Sequence, residues 1–179
     1  MASSHIDHTV AWRDFPRGSA FERIDHFAYL VELTCQGLKP LSRWDLPLTA
    51  EQRLLLEEHG LTRGVLRRLP PTGGEVLMTV FGMDASLVRQ HVNAFDGASL
   101  HQTPERLRME GQHFGYPLCC VESHVLHGYR PNGFAPEDQD ILFHWACPNC
   151  GPTQALLPVY RRIYESLLKE NNNGGNGGV

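Results

Sequence analysis

Four of the five cysteines of this 179-residue chain fall between His113 and Gly151, beside four of its ten histidines. Two pieces carry the thiols: Gly115-Tyr116-Pro117-Leu118-Cys119-Cys120 and His144-Trp145-Ala146-Cys147-Pro148-Asn149-Cys150-Gly151. In the second, Cys-x-x-Cys followed by glycine is a metal knuckle. A tight turn aims two thiolates at one ion, its amides face the sulfurs, and Gly151 supplies the unusual backbone angles. The same spacing serves thiol redox chemistry when it opens a helix after a strand. Here a helix expected from Pro136 to Ala146 precedes it, which favours metal.

The first piece gains meaning if Pro117 opens a helix. At 100° per residue Leu118, Val121 and Val125 cluster on one side, while Cys119, Cys120, His124 and His127 take the opposite arc. Cys120, His124 and His127 follow one another at i, i+4 and i+7, nearly in line. Adjacent Cys119 and Cys120 diverge by 100°, so the ligand set expected is Cys120, Cys147, Cys150 and His124. Cys119 is then a neighbouring reactive thiol, and His124 and His127 are candidate acid–base groups. Both cysteines would sit in a first helical turn, where the dipole favours thiolate. A mixed Cys/His set in four-coordinate geometry suits Zn²⁺. Iron or an iron–sulfur cluster is the alternative, since Cys119, Cys120, Cys147 and Cys150 number four, but their spacing matches no ferredoxin pattern.

The stretch from His113 to His124 (HFGYPLCCVESH) resembles a group of little-characterised prokaryotic proteins with a Gly-Tyr-Pro-x-Cys-Cys signature. The resemblance spans about a dozen residues and implies that the Cys-Cys helix start is a recurring unit of function. It brings no activity with it. The stretch from Cys147 to Gly151 looks like half of a zinc ribbon whose other half is replaced by Cys-Cys on a helix.

Other candidates have plainer explanations. His113 suits a helix C-terminus, His144 could cap or stack on the helix before the knuckle, and Cys35 falls on an apolar stripe. The terminal His5-Ile6-Asp7-His8 is a chance cluster. Arg63, Arg67 and Arg68 read as a solvated helix face. Lys39 and Lys169 are the only lysines.

These residues need a frame, and the sequence supplies a mainly α one. Phe21, Ile24, Ala28, Val31, Cys35 and Leu38 form a helical stripe. Thr49 to Gln52 is a capping box, Asp84 caps a helix to about Phe95, and Thr103-Pro104-Glu105 opens another to about Phe114. Glu75 to Phe81 is the one strand candidate, and a last helix starts near Pro158. The expectation is a single compact helical domain over residues 1–170, with at most a small β element, a metal site within 113–151, and a flexible Asn/Gly tail over 171–179.

Composition narrows the classes. Hydrophobic residues make up 41% and charged ones 20%, enough for a packed core, and the formal net charge of -4 gives no support for bulk nucleic-acid binding. No apolar run approaches the ~18–20 residues that span a bilayer, and the start lacks the basic and apolar segments of a secretory signal. A cytoplasmic protein follows, in which thiols stay reduced. Three functions fit: a small metal-dependent enzyme acting on a small-molecule substrate, a module that a closed zinc site staples, and a thiol redox or sulfur-transfer enzyme using Cys119.

Overall fold

The computed structural model describes residues 23–100 and 102–174. Phe21 and the His5–His8 cluster lie outside them. The described residues form seven helices and a four-stranded sheet.

Helix α1 (His26–Cys35) starts where the Asp25 carboxylate accepts from the amides of Phe27 and Ala28. Strand β1 (Ser42–Trp44) follows, then α2 (Ala50–Glu58), opened by the expected Thr49/Gln52 capping box. Strands β2 (Thr62–Leu69) and β3 (Val76–Gly82) make an antiparallel hairpin whose register pairs Leu66 with Met78 and Arg68 with Val76. Helix α3 (Ala85–Phe95), capped by Asp84, crosses back to β4 (Ala98–Ser99), which runs parallel to β2. The sheet order is β1-β3-β2-β4. Helices α4 (Pro104–His113), α5 (Leu118–His127), α6 (Pro136–Ile141) and α7 (Gly151–Gly174) complete the chain.

The mainly helical expectation holds, and β3 stands where Glu75 to Phe81 predicted it. The rest of the sheet departs from the sequence reading. Arg63, Arg67 and Arg68 lie on β2, not on a helix. Leu66 and Arg68 point inward while Val65, Arg67 and Leu69 face solvent, a two-residue alternation masked by the arginines. Arg67 pairs with Asp96 at the surface, and Arg68 is wholly buried.

Two helix boundaries also move. Helix α6 ends at Ile141, short of Ala146, because Phe143 turns with φ 51°. The last helix begins seven residues before Pro158, which lies inside it, and it runs through Asn171 to Gly174, into the expected tail.

Three apolar clusters hold this frame. Leu66, Met78, Val80, Val88 and Phe95 join the sheet to α3. Phe27, Leu30, Val31, Leu56 and Phe81 join α1 and α2 to the sheet, with half-buried Cys35 against them. Tyr29, Leu33, Ile141, Leu142, Tyr160 and Ile163 join α1 to α6 and α7. The Tyr29 hydroxyl donates toward the carbonyls of Ile141 and Tyr160, fixing the start of the segment that bears the knuckle.

Candidate metal centre

Two helix starts build the site. Helix α5 follows Pro117 directly, so Cys119 and Cys120 occupy its second and third positions. There the side chains project around the end of the helix and not yet along its flank. Helix α7 starts immediately after Cys150, whose carbonyl accepts from the Gln154 amide and whose sulfur accepts from the Thr153 amide at 3.4 Å. Cys150 thus caps α7 with sulfur where a serine would use oxygen.

Between the helices, the segment from Leu142 to Ala146 is tied down by Gln139. Its amide nitrogen donates to the His144 carbonyl, and its oxygen accepts from Asn132 and the Ala146 amide. The turn Cys147-Pro148-Asn149-Cys150 bends through Asn149 at φ 55°. Asparagine, which tolerates that region, therefore takes the role the sequence reading gave to Gly151.

The four thiols meet here. The sulfurs of Cys119, Cys120, Cys147 and Cys150 all lie within 4.8 Å of one another. Cys150 Sγ stands 3.5 Å from Cys119 Sγ and 3.4 Å from Cys120 Sγ. Zinc–sulfur bonds of about 2.3 Å in a tetrahedron place sulfurs about 3.8 Å apart, so the donor set fits a single tetrahedral ion. The Cys147 amide donates to Cys120 Sγ at 3.3 Å, and the Thr153 hydroxyl lies 3.6 Å from that sulfur. The positive ends of α5 and α7 converge on the same point, where four thiolates would concentrate negative charge.

This arrangement brings Cys119 in among Cys120, Cys147 and Cys150, where the sequence reading set it aside. The 100° divergence of adjacent residues matters on a helix flank. In the first turn both side chains reach a common point beyond the helix end. The group contains no imidazole. His124 lies farther along α5, its ring 4.6 Å from that of Tyr129, and His127 is exposed on the last turn.

Burial and hydrogen bonding make the four thiols inequivalent. Burial pushes Cys120 up to about 11, against the lowering expected of a helix start, and burial with neighbouring Cys150 and Cys120 also raises Cys147. Burial acts on Cys150 in the same direction, but bonds from the Thr153 hydroxyl and amide and from Cys120 and Cys119 pull it down to about 7. Cys119 is exposed and Cys120 and Cys150 are buried.

Sequence reasoning missed Thr153. Its hydroxyl sits 3.0 Å from His144 Nε2, whose other nitrogen donates to the Leu142 carbonyl at 3.1 Å. That donation makes Nε2 an acceptor in a neutral imidazole, facing the threonine hydroxyl. Burial brings His144 down to about 4, keeping it neutral near pH 7. The signal was present in Cys150-Gly-Pro-Thr153: a threonine three residues after the helix cap sits beside the capping sulfur. His144 also stacks on Tyr116, centroids 5.5 Å apart, linking the knuckle to the Gly-Tyr-Pro turn.

His113 meets His91 of α3 through their Nδ1 atoms at 3.1 Å, a contact between helices that supports the structural reading.

What the site defines is a four-cysteine group that could hold a metal ion, carried by a helical frame with a small sheet. Comparison with protein-family models, curated proteins and solved structures finds no match to this chain. No helix among the described residues is long and apolar enough to cross a membrane.

Proposed function

We propose that this chain is a zinc protein in which one Zn²⁺, held by Cys119, Cys120, Cys147 and Cys150, staples the start of α5 to the start of α7. The observation that carries it is the mutual closeness of four sulfurs, all within 4.8 Å. A polynuclear iron–sulfur cluster must fit several metals between its thiolates and spreads them farther than one metal's tetrahedron does. Four thiolates and no imidazole suit a closed structural site, which contributes directly to folding. Such a staple fixes the segment from Leu142 to Ala146, whose buried Ala146 packs against Cys120 and Cys150. The reducing cytoplasm is the setting in which these thiols stay available to the ion.

A second reading keeps the metal catalytic. Cys119 is the exposed member of the four, so its thiolate is the one a small-molecule substrate would displace, with His124 and His127 farther along the same helix as acid–base groups.

Four single cysteine-to-serine variants separate the two. The staple predicts that each loses most of its metal and unfolds at lower temperature. Full metal retention and unchanged melting in Cys119→Ser alone would move the assignment to the open, catalytic site.

A further inference from the structure

Lys39 is buried to 3% exposure, and no carboxylate among the described residues forms an ion pair with it. Its ammonium lies instead against two aromatic faces, 4.8 Å from the Tyr116 ring centroid and 5.6 Å from that of Phe114. Arg43 of β1 shares the Phe114 ring at 5.8 Å. Arg43 is itself committed to Asp45 at 2.9 Å and to Glu110 of α4 at 3.2 Å, so the carboxylates of this region serve the arginines.

The Gly-Tyr-Pro turn makes this enclosure possible. Gly115 has φ +70°, and a Cβ there would fall 2.5 Å from Pro40 Cδ. Only glycine lets Phe114 and Tyr116 close over Lys39 and Pro40. The sequence that opens α5 therefore does two things: its cysteines reach the metal centre, and its glycine and tyrosine wall in the amine.

We propose that Lys39 is a nucleophilic amine that captures a small neutral carbonyl compound, an aldehyde or ketone, as an imine. An amine desolvated beside another cation is the arrangement that activates lysine toward carbonyls. The 3% exposure of the residue sets the class, since it bars a large or charged electrophile from the nitrogen. The amine lone pair forms the C–N bond while the carbonyl opens to a hydroxyl. That oxygen then leaves as water with the two nitrogen-bound protons, and no electrons are exchanged. Tyr116 and Phe114, which face the ammonium, would face equally well the iminium formed when the imine nitrogen takes a proton from solvent.

Burial and then the Arg43 charge bring Lys39 down to about 7. The groups around it are Arg43 with Asp45 and Glu110, Tyr116, Tyr129 on the Arg43 side, and His144, which feels the Lys39 charge. None is a carboxylate paired with the amine.

Reductive alkylation of the full-length, metal-loaded protein by acetaldehyde and cyanoborohydride, mapped by peptide mass, tests this. Lys169, the other lysine, is the internal control. At pH 7 Lys39 should be modified at least tenfold faster than Lys169, with a rate that climbs through pH 7 and levels off, while that of Lys169 keeps rising. Unfolding in guanidinium should erase the preference. Modification of Lys169 at a rate equal to or above that of Lys39 in the folded protein would make Lys39 a buried structural cation and overturn the proposal. Because the wild-type metal-loaded protein is used, this outcome is independent of whether the metal is structural or catalytic.

Discussion

Replacing Glu110 by glutamine should destabilise the protein strongly. One carboxylate oxygen of Glu110 accepts from both Arg43 and Arg68 at 3.2 Å, and Gln102 donates to the other. Arg68 has no exposed side-chain surface, and it also donates to the Ser99 carbonyl. Glutamine keeps the size of the side chain and removes its charge, leaving the fully buried Arg68 guanidinium without a carboxylate and Arg43 with Asp45 alone. Breaking a buried pair in this way costs about 3–5 kcal/mol. Against a typical total of about 5–15 kcal/mol this is severe, and it corresponds to a fall in Tm of roughly 10 °C for a chain of this size. Denaturant unfolding at pH 7 reads the loss.

The pH dependence gives a second, independent check. Burial opposes the charged form of Glu110, but Arg43 and Arg68 hold it below the ordinary carboxylate value of 4.5. A lowered folded pKa means that the contribution is complete above that ordinary value and disappears as pH falls through the folded one. The gap between wild type and Glu110→Gln should therefore be full at pH 7 and close in acid. The double variant Glu110→Gln with Arg68→Met should recover part of the loss, since it removes the stranded buried cation. A cost below about 1 kcal/mol at pH 7, or a gap that widens in acid, would refute the assignment of this cluster as a buried charge pair.

Gly115→Ala should cost about 2 kcal/mol or more, from a left-handed backbone and the Pro40 contact together, read by thermal melting; a neutral result would mean that the turn is not enforced. Thr153→Val removes the hydroxyl beside Cys120 Sγ and His144 Nε2, so metal affinity should fall about 10-fold or more in a chelator competition, and unchanged affinity would remove Thr153 from the site. In chelator-stripped protein at pH 7, alkylation mapped by mass should reach Cys150 before Cys120, because their thiols are set near 7 and 11; the reverse order would contradict the Thr153 bonds.

The sequence carried the helix starts and the Cys-x-x-Cys turn because their signals are local. Thr49, Asp84 and Thr103 each cap a helix through their own neighbours, and Cys147 and Cys150 are brought together by one turn. Strand β2 was hidden because its inward Arg68 is matched by Glu110, 42 positions later, and only the folded contact explains a buried arginine. The closeness of Cys119 to the other three sulfurs was hidden for a related reason. Helical-wheel geometry places residues around a flank, while the four sulfurs meet off the end of α5, where the start of α7 brings Cys150. The site of Lys39 was illegible because its walls come from the far side of the Gly115 turn.

X-ray absorption at the metal edge of the purified protein, with metal analysis of the same sample, decides whether the four thiols hold one zinc ion. One zinc per chain should appear, with four sulfur neighbours at about 2.3 Å and no nitrogen shell. A shell of three sulfurs with a nitrogen or oxygen, an iron–iron distance, or protein that retains no metal after purification would contradict it.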